Sequence, residues 1–138
     1  MLSLSTIHLI VDFGLVVLIW LVQWIIYPSF LQMRTQGFAE WHRGYVKRIS
    51  VLVFPLMSAQ LGMAVYRTIV DPAVLWLVYI ALVLVIWFLT FGRAVALHNH
   101  IGRAPDDNDA KWALIRLNLP RAILWTLCFI MNMAFFVL

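Results

Sequence analysis

The sequence predicts an all-α integral membrane protein, a four-helix bundle forming a single four-span domain over residues 1–138, and three observations carry that prediction. Of the 138 residues, 64% are hydrophobic and 12% charged, with a mean hydropathy of +0.95. That is more apolar surface than one soluble domain of this size can bury. The apolar residues gather into four runs, each close to or above the length that crosses roughly 30 Å of hydrocarbon. The basic residues fall mostly at the ends of these runs, so the net charge of +4 reflects membrane topology and nucleic acid is not an expected partner.

The first run extends from about Ile7 to Phe30. No basic segment precedes it and no small-residue cleavage site follows it, so it is expected to stay in the mature chain. Asp12 lies in its outer half, where a lone carboxylate is costly, and Arg67 near the outer end of the second run is the expected partner. The second run spans about Ile49 to Tyr66. Ahead of it, Trp41, Tyr45 and Arg48 stand at i, i+4 and i+7 with no intervening proline, so its helix is expected to start near Gly37 or Phe38. The third run covers about Ala73 to Leu97 and the fourth about Leu119 to Leu138. Before the fourth, APDDNDAK offers a turn at Pro105 and carboxylates that can cap a helix beginning near Asn108. Pro28, Pro55 and Pro120 each remove a backbone donor and leave a carbonyl to be satisfied elsewhere, and a kink is expected at Pro120.

Loop charges set an expected orientation. Arg34, Arg43, Lys47 and Arg48 lie between the first two runs, and Arg103, Lys111 and Arg116 between the last two, with Arg121 just beyond. Arg67 is the one basic residue between runs two and three. The positive-inside rule then puts both long connections in the cytoplasm and both termini outside.

Residues capable of chemistry collect at that cytoplasmic end. The runs contribute Gln23, Trp24 and Tyr27; Trp41, His42, Tyr45, Arg48 and, deeper, Gln60; Arg93, His98, Asn99 and His100; and Asn118, Arg121 and Trp125. Bases, cations, amides and aromatic rings in one layer suit proton abstraction from a lipophilic aromatic molecule. In that reading His42 or His98 is the base and Arg48 or Arg121 stabilises the resulting anion. Asn118 and Tyr27 orient the substrate, Trp24, Trp41 and Trp125 form an aromatic slot, and Tyr45 lies beside it. Gln60 is either a helix–helix contact or the floor of the pocket. Anchoring is the simpler reading of the same residue types, since arginine snorkels to headgroups and Trp and Tyr favour interfaces.

Cys128, the single cysteine, sits inside an apolar run, so neither a disulfide nor a thiolate metal site forms within one chain. Glu40 is the only glutamate and no HExxH or paired ExxH occurs, which disfavours carboxylate-bridged metals. No metal and no cofactor is expected. Haem would require His42 and His98 as an axial pair.

Several short motifs follow in order: Tyr27-Pro28; Phe38 with His42; Arg48 with Pro55, Met57 and Gln60; His98-Asn99 with Ile101-Gly102; and Asn118 with Pro120-Arg121 and Trp125. Over nearly the whole chain they resemble a group of small four-helix bacterial membrane proteins and, more distantly, the anthrone oxygenase-like membrane family. The resemblance implies a bacterial inner membrane and oxidation of a polycyclic phenolic anthrone to a quinone by dioxygen, without metal or flavin. His100 stands where the pattern has arginine or a similar residue, and Leu119 where it often has tryptophan, which bears on the choice of substrate. The function expected is therefore an intramembrane oxidoreductase or oxygenase acting on an anthrone, phenol or quinol-like molecule. Two other classes stay open: a non-catalytic accessory or assembly subunit binding quinone, haem or pigment, in a homo-oligomer or larger membrane complex, and a small transporter subunit. Against the last, Asp12 and Arg67 are the only polar residues expected in the outer half.

Overall fold

The computed structural model describes residues 2–137; Leu138, assigned by sequence to the end of the fourth run, lies outside the described residues. Four packed helices make up the fold: α1 (Leu4–Ser29), α2 (Phe38–Val70), α3 (Val74–Arg103) and α4 (Asn108–Val137). Each is long and apolar enough to cross a membrane, and the chain is an integral membrane protein. The helices outrun the apolar runs, most of all at the basic end, where α2 begins at Phe38 and α4 at Asn108.

Local chemistry explains those starts. The Ser3 hydroxyl accepts the Thr6 N–H at 3.1 Å and caps α1. Gly37 takes a φ of 81°, a left-handed conformation that a side chain disfavours, and turns the chain into α2. Asp107 accepts the Ala110 N–H at 2.9 Å and so caps α4, while its other oxygen meets His100 Nε2 at 2.7 Å and ties α3 to α4. The Ala110 N–H, and after it the His100 contact, hold the Asp107 carboxyl below its ordinary value.

The bundle buries a set of polar side chains within an apolar core, and its outer surface is apolar as well. His8, Asp12, His42, Gln60, Asn118, Arg121 and Asn132 are buried, while Val51, Leu52, Phe54, Ile69, Phe88 and Ile130 face outward. Intramembrane polar groups turn inward because hydrocarbon offers them no partner. Two apolar clusters fill the space between: one around Ile19, Met57, Val83, Ile86 and Cys128, the other at the basic end around Tyr27, Phe30, Phe38, Ile101 and Leu114.

Two π-helical segments break this regularity at similar depth, Val22–Ile26 in α1 and Phe88–Ala94 in α3. The buried face of α1 repeats through His8, Asp12, Leu15, Ile19 and Val22, and α-helical spacing would next bring Ile26 inward. The Tyr27 N–H instead reaches back to the Val22 carbonyl, and the extra residue carries Tyr27 inward. Pro28 gives a local reason, since its ring would clash with the carbonyl four residues earlier in an unbroken α-helix. In α3 the Val95 N–H bonds to the Thr90 carbonyl around Gly92.

The second π segment stands opposite a stretch of α2, Val46–Leu56, in which no residue is fully buried. The two helices pack at either end of this region, yet among the described residues no Cα of Phe88–Ala94 comes within 8 Å of one in α2. The separation opens a cleft in the side of the bundle.

Candidate functional site

The cleft, about 200 Å³, reaches from the outward residues Phe54 and Phe91 and the half-buried Val53 inward to Tyr27, Tyr45, Met57, Thr90, His98, Arg121 and Trp125. Its outer wall is apolar and lies at span depth, so it faces the bilayer. A second cavity of about 650 Å³ lies at the basic end, lined by His42, Arg43, Lys47, Asn99, Gly102 and Arg103, with Val46 and Ala39. His98, Asn99 and Val46 border both cavities. His98 thus stands at the partition between a lipid-facing cleft and a cationic funnel.

A hydrogen-bonded chain crosses that partition. Tyr27 Oη lies 2.9 Å from His98 Nε2, and His98 Nδ1 lies 3.0 Å from His42 Nε2. The distances admit two proton arrangements. In one, Tyr27 donates to His98 and His98 donates to His42; in the other, both donations reverse. Aromatic packing fixes the rings: Phe38 lies nearly parallel to His42 at 5.4 Å and Phe30 stands edge-on to it at 5.4 Å, while His98 meets His42 edge to edge through the bonded nitrogens. Lys111 is buried and its Nζ lies 4.5 Å from the centre of the Phe38 ring.

Arg121, Asn118 and Gln23 form the adjoining group. Arg121 Nη1 donates to Asn118 Oδ1 at 2.9 Å, and Asn118 Nδ2 donates to Gln23 Oε1 at 2.9 Å. The Arg121 guanidinium lies 5.4 Å from the Trp125 ring centre and is only 5% exposed, so it does not snorkel to headgroups.

Not every expected residue joins the site. Trp24, 74% exposed, projects outward from the π segment of α1, and Trp41 stacks on Tyr45 at 5.6 Å on the outer side; neither lines the cleft, so the aromatic slot consists of Tyr27, Tyr45, Phe54, Phe91 and Trp125. Arg48 is exposed on α2, as is Arg93 on α3, which leaves Arg121 as the cation in the cleft. Gln60 is not the floor of this pocket. It accepts the Trp125 indole N–H at 3.0 Å and donates to Asp12 Oδ1 at 2.8 Å. Haem does not fit the His42–His98 pair as arranged, because the facing nitrogens are 3.0 Å apart. Two axial imidazole bonds of about 2 Å each would separate them by about 4 Å, with a porphyrin between. Among the described residues, no group of three or more His, Cys, Asp and Glu side chains could hold a metal ion.

The expected Asp12–Arg67 pair is also corrected. Asp12 accepts from Gln60 Nε2, Tyr79 Oη and Asn132 Nδ2, each at 2.8 Å, and His8 Nε2 lies 2.9 Å from the same tyrosine oxygen. Arg67 instead donates to Ser5 and lies 5.5 Å from the centre of the Trp76 ring. Three directed donors satisfy the carboxylate without a salt bridge to a cation, and all four helices contribute to the network. The half of the bundle away from the basic end therefore holds His8, Tyr79 and Asn132 besides the two residues expected there. His8 and Asp12, at i and i+4, were the available signal for it.

Compared with models of protein families, with curated proteins and with solved structures, the chain matches none. The short motifs that resemble the anthrone oxygenase-like family therefore assign it to no family.

Proposed function

We propose that the protein is an intramembrane oxidoreductase of the oxygenase type that takes an anthrone- or phenol-like aromatic molecule from the bilayer and deprotonates it for reaction with dioxygen. The observation that carries this reading is the position of His98 between the lipid-facing cleft and the cationic funnel, bonded on one side to Tyr27 and on the other to His42. A proton removed in the cleft has a route to water that does not cross lipid.

In the mechanism, the substrate enters between α2 and α3 and lies against Tyr45, Phe91 and Trp125. Tyr27 Oη accepts the substrate proton as its own proton passes to His98 Nε2. His98 Nδ1 passes its proton to His42 Nε2, and the proton on His42 Nδ1 leaves through the funnel. Each nitrogen ends in the alternative arrangement described above, so no charge is stranded. His42 Nδ1 lies beside Gly102, a funnel-lining position where an added Cβ would sit 3.7 Å from it.

The anion that remains is held near the Arg121 guanidinium in a low-dielectric cleft, where a fixed positive charge acts more strongly than in water. For anthrone, the deprotonated carbon adds dioxygen to give a peroxide. Protonation of the peroxide and loss of water then leave the quinone. The sum is one anthrone and one dioxygen giving one anthraquinone and one water.

Oxygen uptake tests the proposal. Purified protein in lipid nanodiscs is expected to consume oxygen when anthrone is added and to form one quinone per dioxygen, faster than nanodiscs alone by at least about 100-fold. Binding of a quinone headgroup with no uptake above empty nanodiscs would reject turnover in favour of a non-catalytic binding subunit.

A further inference from the structure

Arg121 carries an unmatched charge. Its guanidinium is 5% exposed, makes its hydrogen bond to the neutral amide of Asn118, and leaves Nε buried without a partner. The two contacts between acidic and basic groups among the described residues are His8 with Asp12 and His100 with Asp107, so no carboxylate lies within 4 Å of Arg121. The second amide in the chain, Gln23, is also neutral. A buried cation faced only by neutral acceptors and the Trp125 ring lacks the counter-charge that usually accompanies burial. Its open side is the cleft, whose other walls are mostly apolar and aromatic, with Ser50, Thr90, His98 and Asn99 the neutral polar side chains among them.

We infer that the cleft is a binding site for a lipophilic aromatic acid, a planar apolar body bearing one ionised oxygen group, carboxylate or phenolate, that seats against Arg121. The inference rests on the reading of the cleft as the substrate site and narrows its ligand class: the anionic form is the one bound tightly, independent of any oxidation. The aromatic body follows from the rings of Tyr27, Tyr45, Phe54, Phe91 and Trp125, which line the cleft among aliphatic side chains such as Ile49 and Met57. A guanidinium suits such a head because its planar donors match the geometry of carboxylate oxygens.

The test uses full-length protein in zwitterionic nanodiscs with 9-anthracenecarboxylate as probe and anthracene-9-carboxamide as its uncharged counterpart, binding being read by fluorescence. The carboxylate is expected to bind at least about 10-fold more tightly than the amide. Arg121→Gln should abolish this preference, Arg121→Lys should retain part of it, and Arg116→Gln on the outward side of α4 should leave it unchanged. Equal binding of acid and amide to the unaltered protein would overturn the inference, and this arm needs no variant to fold. So would a preference that survives Arg121→Gln. Displacement of the probe by dodecanoate as readily as by a second aromatic acid would overturn the aromatic assignment and point to a lipid acid. Oxygen uptake separates the two readings: acid preference without uptake keeps the binding site and rejects the oxygenase, and uptake without acid preference does the reverse.

Discussion

Replacing His98 by alanine is expected to lower anthrone-dependent oxygen uptake by about 100-fold or more, the usual range for loss of a positioned acid–base group. The substitution removes the only residue, among the described ones, bonded to both Tyr27 and His42, so the substrate proton loses its route between the two cavities. It also leaves a space the size of an imidazole ring between Phe30, Tyr45 and His42. Added imidazole is therefore expected to restore part of the rate in His98→Ala and to leave the unaltered protein unaffected. A purely structural role would show as loss of fold with no rescue, and an undiminished rate in a folded His98→Ala protein would remove His98 from the mechanism.

The largest expected effect on stability is at Asp12. Asp12→Ala removes the acceptor shared by Gln60, Tyr79 and Asn132 at a point where α1 meets the other three helices, leaving Gln60 Nε2 only its longer bond to Tyr79 Oη and Tyr79 only its contact with His8 Nε2. Orphaned donors cost about 1–3 kcal/mol each in soluble proteins, while interhelical bonds in membranes average about 0.6 kcal/mol, so a loss of about 2–4 kcal/mol is expected for the three together. Reversible unfolding in mixed detergent measures it. Asp12→Asn, which keeps an acceptor oxygen in place, should cost less than half as much. A loss below about 0.5 kcal/mol for Asp12→Ala would mean that the network does not hold the helices together.

How far the sequence foretold this arrangement differs between the two halves of the bundle. The helices followed from hydropathy, and their extension to Phe38 and Asn108 from spacing and capping, because those signals are local. The approach of His42, His98, Tyr27, Asn118 and Arg121 followed from topology, which brings the ends of all four helices to one side. Which residues turn inward was harder to read. Trp24 and Tyr27 lie on one short segment, and the π turn between them decides that Tyr27 is buried and Trp24 exposed. No residue pattern in an almost uniformly apolar run announces that extra residue; Pro28 is its one trace. The Asp12 network was missed for a related reason. A carboxylate in a membrane was assigned the nearest cation, Arg67, whereas neutral donors from three other helices, including Tyr79 inside a uniformly apolar run, satisfy it.

The central claim is that the cleft removes a proton from a lipophilic aromatic molecule, and anaerobic hydrogen exchange tests it without the later steps. Anthrone is incubated with the protein in nanodiscs in deuterated buffer under argon, and deuterium entering its methylene group is followed by NMR. The account predicts exchange well above that in empty nanodiscs and its collapse in His98→Ala. Exchange no faster than in empty nanodiscs, or exchange unchanged in His98→Ala, would contradict it.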